Sequence, residues 1–150
     1  MTIAICGSMK FYLEMEAVKR TLESLGHTVI IPKKGEEGEV PIEARPGITE
    51  DEIVAAKIEY DFIREHFKNI NGSDAILVLN YKKNGIQNYI GGNTFLEMGV
   101  AFWLMKTIYL LHPIPVMDYK TEMHAMQPTI LHGNLRKIPK EVNNPKNLLQ

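Results

Sequence analysis

Short apolar runs alternate along the chain with longer segments that have helical periodicity. Residues 2–6 (TIAIC) are apolar and lead into Gly7-Ser8, the pattern of a buried strand that enters a tight turn. From about 10 to 25, apolar residues recur every three or four positions and predict one face of a helix. Residues 27–32 (HTVIIP) then predict a second strand, which a proline closes.

A charged stretch over 33–48 interrupts this pattern. It contains three glycines and two prolines, and we interpret it as a mobile loop within one domain. Immediately after it, Thr49-Glu50-Asp51-Glu52 has the signature of a capping box. The apolar spacing that follows predicts one long helix over about 50–70.

The second half of the chain continues the alternation. Its predicted elements are a strand over 74–80, a helix over 94–105, a strand over 107–111, a short helix over 119–126 and a weaker strand over 128–132. Residues 136–150 are polar and rich in Pro and Asn, which predicts a surface tail. Together these elements predict one α/β domain over 1–150, a Rossmann-like three-layer sandwich with a mostly parallel sheet of about five strands.

Charge and composition narrow the choice of partner. The 17 basic and 18 acidic residues leave a formal net charge of −1, so neither duplex nucleic acid nor an anionic membrane is favoured. One cysteine fits a reducing compartment. The N-terminus has no signal-peptide pattern, and no apolar stretch approaches the roughly 20 residues of a membrane span. We therefore expect a soluble, cytoplasmic protein that binds a small molecule.

The turn after the first strand is a candidate anion site, because ligands of open parallel sheets bind beyond the carboxyl ends of the strands. Within Gly7-Ser8-Met9-Lys10, the glycine allows close approach of the backbone and the helix start attracts anions. Ser8 adds a hydroxyl and Lys10 a positive charge. The alternative is a glycine turn in which Ser8 only caps the helix.

Glu97 is the candidate for chemistry. It follows the glycine-containing loop Gly91-Gly92-Asn93 and lies one turn into an otherwise apolar helix. A carboxylate in that setting costs free energy unless it is paired or has a function. The alternative is structural, because Thr94-x-x-Glu97 also matches a capping box. Both roles can hold at once.

Other polar residues leave more than one interpretation open. His66, on the predicted long helix, could bind a sugar or transfer a proton, although a helix-end histidine more often satisfies nearby carbonyls. Lys57 and Asp61 lie on the polar face of that helix, which is usually solvated. The five histidines and the single cysteine show no metal-binding spacing, so we predict no metal, and Cys6 is expected in the core.

Three short segments carry a resemblance to a known family. Cys6-Gly7-Ser8-Met9-Lys10, Ser73-Asp74 and Glu97-Met98-Gly99 resemble motifs of the nucleoside 2-deoxyribosyltransferase superfamily, nearest its 2′-deoxynucleoside 5′-phosphate N-hydrolase branch. The similarity runs from about residue 2 to 126. It implies a Rossmann-like fold in which Glu97 attacks C1′ of the sugar, displaces the base and forms a glycosyl-enzyme ester. Water then completes hydrolysis, or a second base completes transfer.

The resemblance also implies roles for other residues. Gly7–Lys10 would hold the 5′-phosphate, and His124-Ala125-Met126 would reach the neighbouring subunit's site in a homodimer with shared pockets. Three positions depart from the family pattern: His66 stands where an aspartate is common, with Asp61 the nearest one, and Gly91 and Asn93 replace a polar residue and a glycine.

The resulting hypothesis is hydrolysis of the N-glycosidic bond of a (deoxy)nucleoside 5′-monophosphate without a cofactor. Base exchange between deoxynucleosides and a non-catalytic nucleotide sensor are the alternatives. The candidate catalytic residues are Glu97, His66 and Asp61. The candidate ligand-binding residues are Gly7, Ser8, Met9, Lys10, Asn80, Gly91, Gly92, Asn93, His124 and Met126.

Overall fold

The computed structural model describes residues 1–35 and 40–142. Its strands are β1 (Thr2–Cys6), β2 (Thr28–Ile30), β3 (Ala75–Val78), β4 (Thr107–Leu110) and β5 (Thr129–Ile130). Its α-helices are α1 (Tyr12–Ser24), α2 (Glu50–Glu59), α3 (Phe62–Asn71), α4 (Gly92–Trp103) and α5 (Lys120–Ala125). Short 3-10 turns cover Met9–Phe11, Ile42–Ala44 and Leu135–Lys137.

The five strands of the described ranges form one sheet in the order β2-β1-β3-β4-β5. Every pairing is parallel, with Ile3 opposite Ala75 and Ala75 opposite Thr107. The predicted α/β class with a parallel sheet of about five strands is therefore confirmed. Because the strand order reverses between β1 and β3, the crevice for a ligand lies beyond their carboxyl ends.

Helices cover both faces of the sheet and bury two apolar clusters. Alternate residues of β1 point to opposite faces, so Ile3 and Ile5 pack with α1 on one side, while Ala4 and Cys6 face the other. That second face is covered by Ile70 of α3, Met98 of α4 and Met123 of α5. The position of Cys6 on it determines which residues the thiol can meet.

The predicted helix over 50–70 is in fact two helices. Asp61 adopts a left-handed conformation with φ 50°, which ends α2 at Glu59 and lets α3 start at Phe62. Aspartate tolerates this conformation better than most residues, and one such residue leaves the apolar spacing almost unchanged. The capping box that starts α2 is confirmed, since Thr49 Oγ1 accepts from Glu52 N at 3.2 Å and Glu52 Oε2 accepts from Thr49 N at 2.8 Å.

The chain after β5 packs more closely against the domain than the prediction of a surface tail implies. Ile138 is 4% exposed and joins the core cluster beneath α1, with Leu135 packed against it. Most described residues of the predicted surface tail over 136–150 are exposed, but the burial of Ile138 anchors the start of the segment to the core. Residues 143–150, and residues 36–39 of the predicted mobile loop, lie outside the described residues. No helix in the described part of the chain is long and apolar enough to cross a membrane.

Candidate active site

Two adjoining cavities lie beyond the carboxyl ends of β1 and β3. We call the first the carboxylate pocket, lined by Phe62, Ile63, His66, Asn93 and Glu97 together with residues after β1 and β2. We call the second the anion pocket, lined by Ser8, Lys83, Tyr89 and the first residues of α4. They share Gly7, Met9, Glu43, Lys57 and Asn93, so one ligand can occupy both.

Glu97 forms the inner wall of the carboxylate pocket. Its side chain is buried, and Asn93 Nδ2 donates to its Oε1 at 3.1 Å. The other oxygen, Oε2, is buried and has no hydrogen-bond partner among the described residues. Burial raises the pKa of Glu97 to about 8, although the Cys6 thiol, Lys57 and Asn93 oppose the rise. The site therefore holds a desolvated carboxyl group with one oxygen that accepts no geometric hydrogen bond from the described residues.

The alternative role of Glu97 in a capping box is wrong. Gly91 is the N-cap of α4, the helix begins at Gly92, and Thr94 lies buried inside the first turn. The paired glycines let the helix start earlier than the Thr-x-x-Glu pattern predicts. Glu97 is consequently placed in the second turn, where its free oxygen meets no backbone N–H.

His66 and Cys6 meet Glu97 in the interior. Cys6 Sγ lies 3.5 Å from His66 Nε2, and the donor atoms of all three side chains lie within 4.8 Å of one another. Burial lowers the pKa of His66 to about 4, so the imidazole is neutral at physiological pH. Its Nδ1 contacts Asn69 Nδ2 at 3.4 Å. His66 thus lies mid-helix and faces the site, whereas Cys6 is buried as predicted and also contacts it.

The turn after β1 is shaped by a close approach. A Cβ atom on Gly7 would lie 3.2 Å from the carbonyl oxygen of Leu79 and 3.3 Å from Met15 Cε, which leaves little room for any other residue. Ser8 caps the following 3-10 turn by accepting from Lys10 N at 3.3 Å. The capping interpretation of Ser8 is confirmed, yet its hydroxyl also faces the anion pocket.

Lys83 is the main residue that sequence reasoning missed. It lies on the loop after β3, and its Nζ donates to Ser8 Oγ at 2.9 Å while lying 5.2 Å from the ring centroid of Tyr89. Desolvation, with the nearby Lys10, lowers its pKa. Lys57, also in the shared wall, is 3.5 Å from Glu43. The Lys82-Lys83 pair in a glycine-containing loop was the available signal, but pattern alone did not connect it to Ser8.

The start of α4 completes the anion pocket. Gly91 to Thr94 line it, and Gly91 has no side chain to cap the free N–H groups of the first turn. The positive end of the helix dipole therefore faces the cavity. A Cβ on Gly91 would lie 3.1 Å from the ring of Tyr89, so the tyrosine occupies the space beside this glycine.

Several predicted site residues lie elsewhere. Asn80 is buried and bonds only to backbone, donating to the carbonyls of His112 and Pro113 and accepting from His112 N. Asp61 pairs with Arg64 at 2.9 Å and lines neither cavity. Lys10 is exposed near Lys83 and lines neither cavity. His124, exposed on α5, and Met126, packed on the α4 face of the sheet, lie outside both.

The sequence matches no family model and no curated protein. Several solved structures are similar, among them two enzymes. One is the 2-deoxyribosyltransferase from Bacillus psychrosaccharolyticus, with a TM-score of 0.49 and 17% identity over 73% of this chain and 71% of that chain. The other is the CMP N-glycosidase of Clostridium botulinum, with a TM-score of 0.48 and 12% identity over 87% of this chain and 85% of that chain. The α/β assignment rests on the sheet order and the helices described above.

Proposed function

We propose that this chain hydrolyses the N-glycosidic bond of a (deoxy)nucleoside 5′-monophosphate, with Glu97 as the nucleophile. The observation that carries the proposal is the free, buried Oε2 of Glu97 in a cavity that continues into a pocket built for an anion. A carboxylate beside an anion-binding helix start is the combination that a sugar phosphate with a leaving base requires.

The proposed hydrolysis has two steps, and both involve one carboxylate oxygen of Glu97. Ionised Glu97 attacks C1′, the C1′–N bond breaks, and its electron pair leaves with the base, which takes up a proton. The resulting ester is cleaved when water attacks C1′, which returns the carboxylate and releases the sugar phosphate and a proton. Asn93 holds Oε1 through this sequence, and we assign the attack to the other oxygen, Oε2.

The 5′-phosphate is assigned to the anion pocket. The Ser8 hydroxyl, the Lys83 ammonium and the first N–H groups of α4 converge there, and charge-assisted bonds to phosphate are strong. Glu97 lies five residues beyond Gly92, roughly 7 Å along the helix axis. That rise is comparable to the span from a 5′-phosphate to C1′, so phosphate and nucleophile suit one nucleotide.

Two further assignments belong to the proposal. His66 orients Glu97 and the sugar as a neutral imidazole, and Asp61 takes no step because its carboxylate is paired with Arg64. A homodimer in which His124 and Met126 enter the partner's pocket remains a prediction. Both lie outside the cavities of their own subunit, as that arrangement requires.

The test is release of free base, followed by chromatography, from a panel of ribo- and deoxyribonucleosides and their 5′-monophosphates. We expect release from monophosphates, loss of it in Glu97→Gln, and full activity in Glu23→Gln, a matched change of an α1 glutamate that pairs with Lys19 and lines neither cavity. Lys83→Met should raise KM for monophosphates about 10- to 100-fold and leave that for nucleosides unchanged.

Other outcomes select the alternatives. Product that forms only when a second base is added would replace hydrolysis by base exchange. Absence of any release, with thermal stabilisation by nucleotides that survives in Glu97→Gln, would make the protein a nucleotide-binding module.

A further inference from the structure

Cys6, His66 and Glu97 form a cluster in which each side chain offers one atom that can bind a metal ion. They come from the end of β1, the middle of α3 and the second turn of α4, and all three are buried. Their sulfur, nitrogen and oxygen atoms lie within 4.8 Å of each other. Hydrolysis as proposed uses Glu97 as nucleophile and His66 for orientation, and does not require a thiol at this place.

The separation of Cys6 and His66 matches two ligands of one zinc ion, and Glu97 lies within 4.8 Å of both. Around a tetrahedral Zn²⁺, a sulfur ligand at about 2.3 Å and a nitrogen ligand at about 2.0–2.1 Å are separated by roughly 3.5 Å. Cys6 Sγ and His66 Nε2 are 3.5 Å apart. Glu97, one carboxylate oxygen of which lies within 4.8 Å of both atoms, supplies the third ligand.

The surroundings also fit a cation. Thiolate and imidazole select thiophilic ions such as Zn²⁺ over Mg²⁺ or Ca²⁺, and three protein ligands leave a fourth position open. Because His66 and Glu97 line the carboxylate pocket, that open position faces the cavity and gives the ion a way in. Binding through Nε2 requires the neutral tautomer of His66 that carries its proton on Nδ1.

We propose that Cys6, His66 and Glu97 bind Zn²⁺ or a similar thiophilic divalent cation, which occupies the nucleophile and thereby inhibits the reaction. On binding, the Cys6 thiol and the Glu97 carboxyl group each release a proton to solvent, so a thiolate and a carboxylate neutralise the two charges of the ion. Metal binding stands independently of the proposed hydrolysis, whereas the inhibition rests on it.

The binding test uses Co²⁺ added to the full chain after dialysis against a chelator. A thiolate-to-cobalt charge-transfer band in the near ultraviolet is expected to saturate at one ion per chain and to vanish when Zn²⁺ is added. The chain has a single cysteine, so any such band reports Cys6. His66→Gln and Glu97→Gln should each weaken Co²⁺ binding at least tenfold, while His124→Gln, a change of an exposed histidine on α5, should not.

The outcomes separate this inference from the proposed function. No band at millimolar Co²⁺ in a protein that circular dichroism shows to be folded would overturn the metal site, and so would unchanged affinity in Glu97→Gln. A band without base release would uphold the metal site and overturn the hydrolase. Where both occur, Zn²⁺ should inhibit base release at the concentration that displaces Co²⁺, and activity at saturating Zn²⁺ would overturn the inhibition.

Discussion

Asn93 Nδ2 donates a hydrogen bond to Glu97 Oε1 over 3.1 Å, from one turn earlier in the same helix. The contact orients the carboxyl group of Glu97. It also lowers the pKa of this group and so opposes the rise that burial causes. Asn93 takes part because α4 begins at Gly92, which places residues 93 and 97 on one face of the helix. Asn93 therefore lines the cavity and also influences the pKa of Glu97.

Replacing Asn93 by alanine should impair the ionised nucleophile. The hydrogen bond to a charged group is worth about 1.5–3 kcal/mol, so kcat/KM at pH 7 should fall roughly 10- to 100-fold. The pKa of Glu97 should rise at the same time. The measurement is the pH profile of base release, and an Asn93→Ala profile that superimposes on that of the original chain would contradict the assignment.

Base release should increase with pH through the neutral range. Only the ionised carboxylate attacks, and the pKa of Glu97 is about 8. In chelator-treated protein, kcat/KM should therefore rise from pH 6, reach half of its maximum at about pH 8 and level off above about pH 9. Lys57→Gln removes a positive charge that lowers the pKa of Glu97, so the rising limb should move to higher pH. Lys68→Gln, which alters a lysine paired with Glu65, is the control and should leave the profile in place.

Glu97→Gln should stabilise the metal-free protein above about pH 5. The folded chain holds the Glu97 proton more tightly than the unfolded chain, so this contribution to stability is complete below about 4.5 and is lost as pH rises toward 8. The full loss is at most about 5 kcal/mol. Because a buried amide also has a cost, we expect a net gain of about 1–3 kcal/mol at pH 8. Urea unfolding at pH 4.5 and pH 8 measures it, and an equal effect at both pH values would mean that the gain does not come from the ionisation of Glu97.

Asn80→Ala should reduce stability without changing ligand affinity. Its amide forms three hydrogen bonds with the backbone of His112 and Pro113, which hold the loop after β4 against the end of β3. Their loss should cost about 2–3 kcal/mol of unfolding free energy. Asn80→Asp should be at least as damaging, because a carboxylate cannot donate to the two carbonyls. A rise in KM at unchanged stability would restore the predicted role of Asn80 in binding.

The strand and helix pattern was predictable because it is local. Period-two and unbroken apolar runs identify strands whatever their partners are, and all five predicted strands are present in the described ranges. The positions where this local pattern is interrupted were less predictable. Asp61 separates α2 from α3 with one residue of unusual φ, and Ile138 anchors a segment that is polar on average. Each depends on what one residue meets in three dimensions, which an average over a window does not contain.

Some residues of the candidate site were likewise recognisable from the sequence, and others only from the structure. Gly7, Ser8 and Glu97 were recognisable because a glycine turn after a strand and an acid in an apolar helix are visible in the sequence itself. Lys83 reaches Ser8 across 75 positions, and Cys6 reaches His66 across 60. Those pairings exist only because β1 and β3 are adjacent and because β1 turns alternate side chains toward α3 and α4.

The amino-acid order by itself determined the class of fold, the edge of the sheet where the two cavities lie and the carboxylate of Glu97 as one that is costly to bury. Tertiary structure alone decided what surrounds that carboxylate. The pKa of Glu97, its unpartnered oxygen and the thiol and imidazole beside it arise from packing between β1, α3 and α4. Burial free energies and hydrogen-bond partners depend on distances between segments far apart in the chain, and these distances are set only when the sheet and its helices assemble.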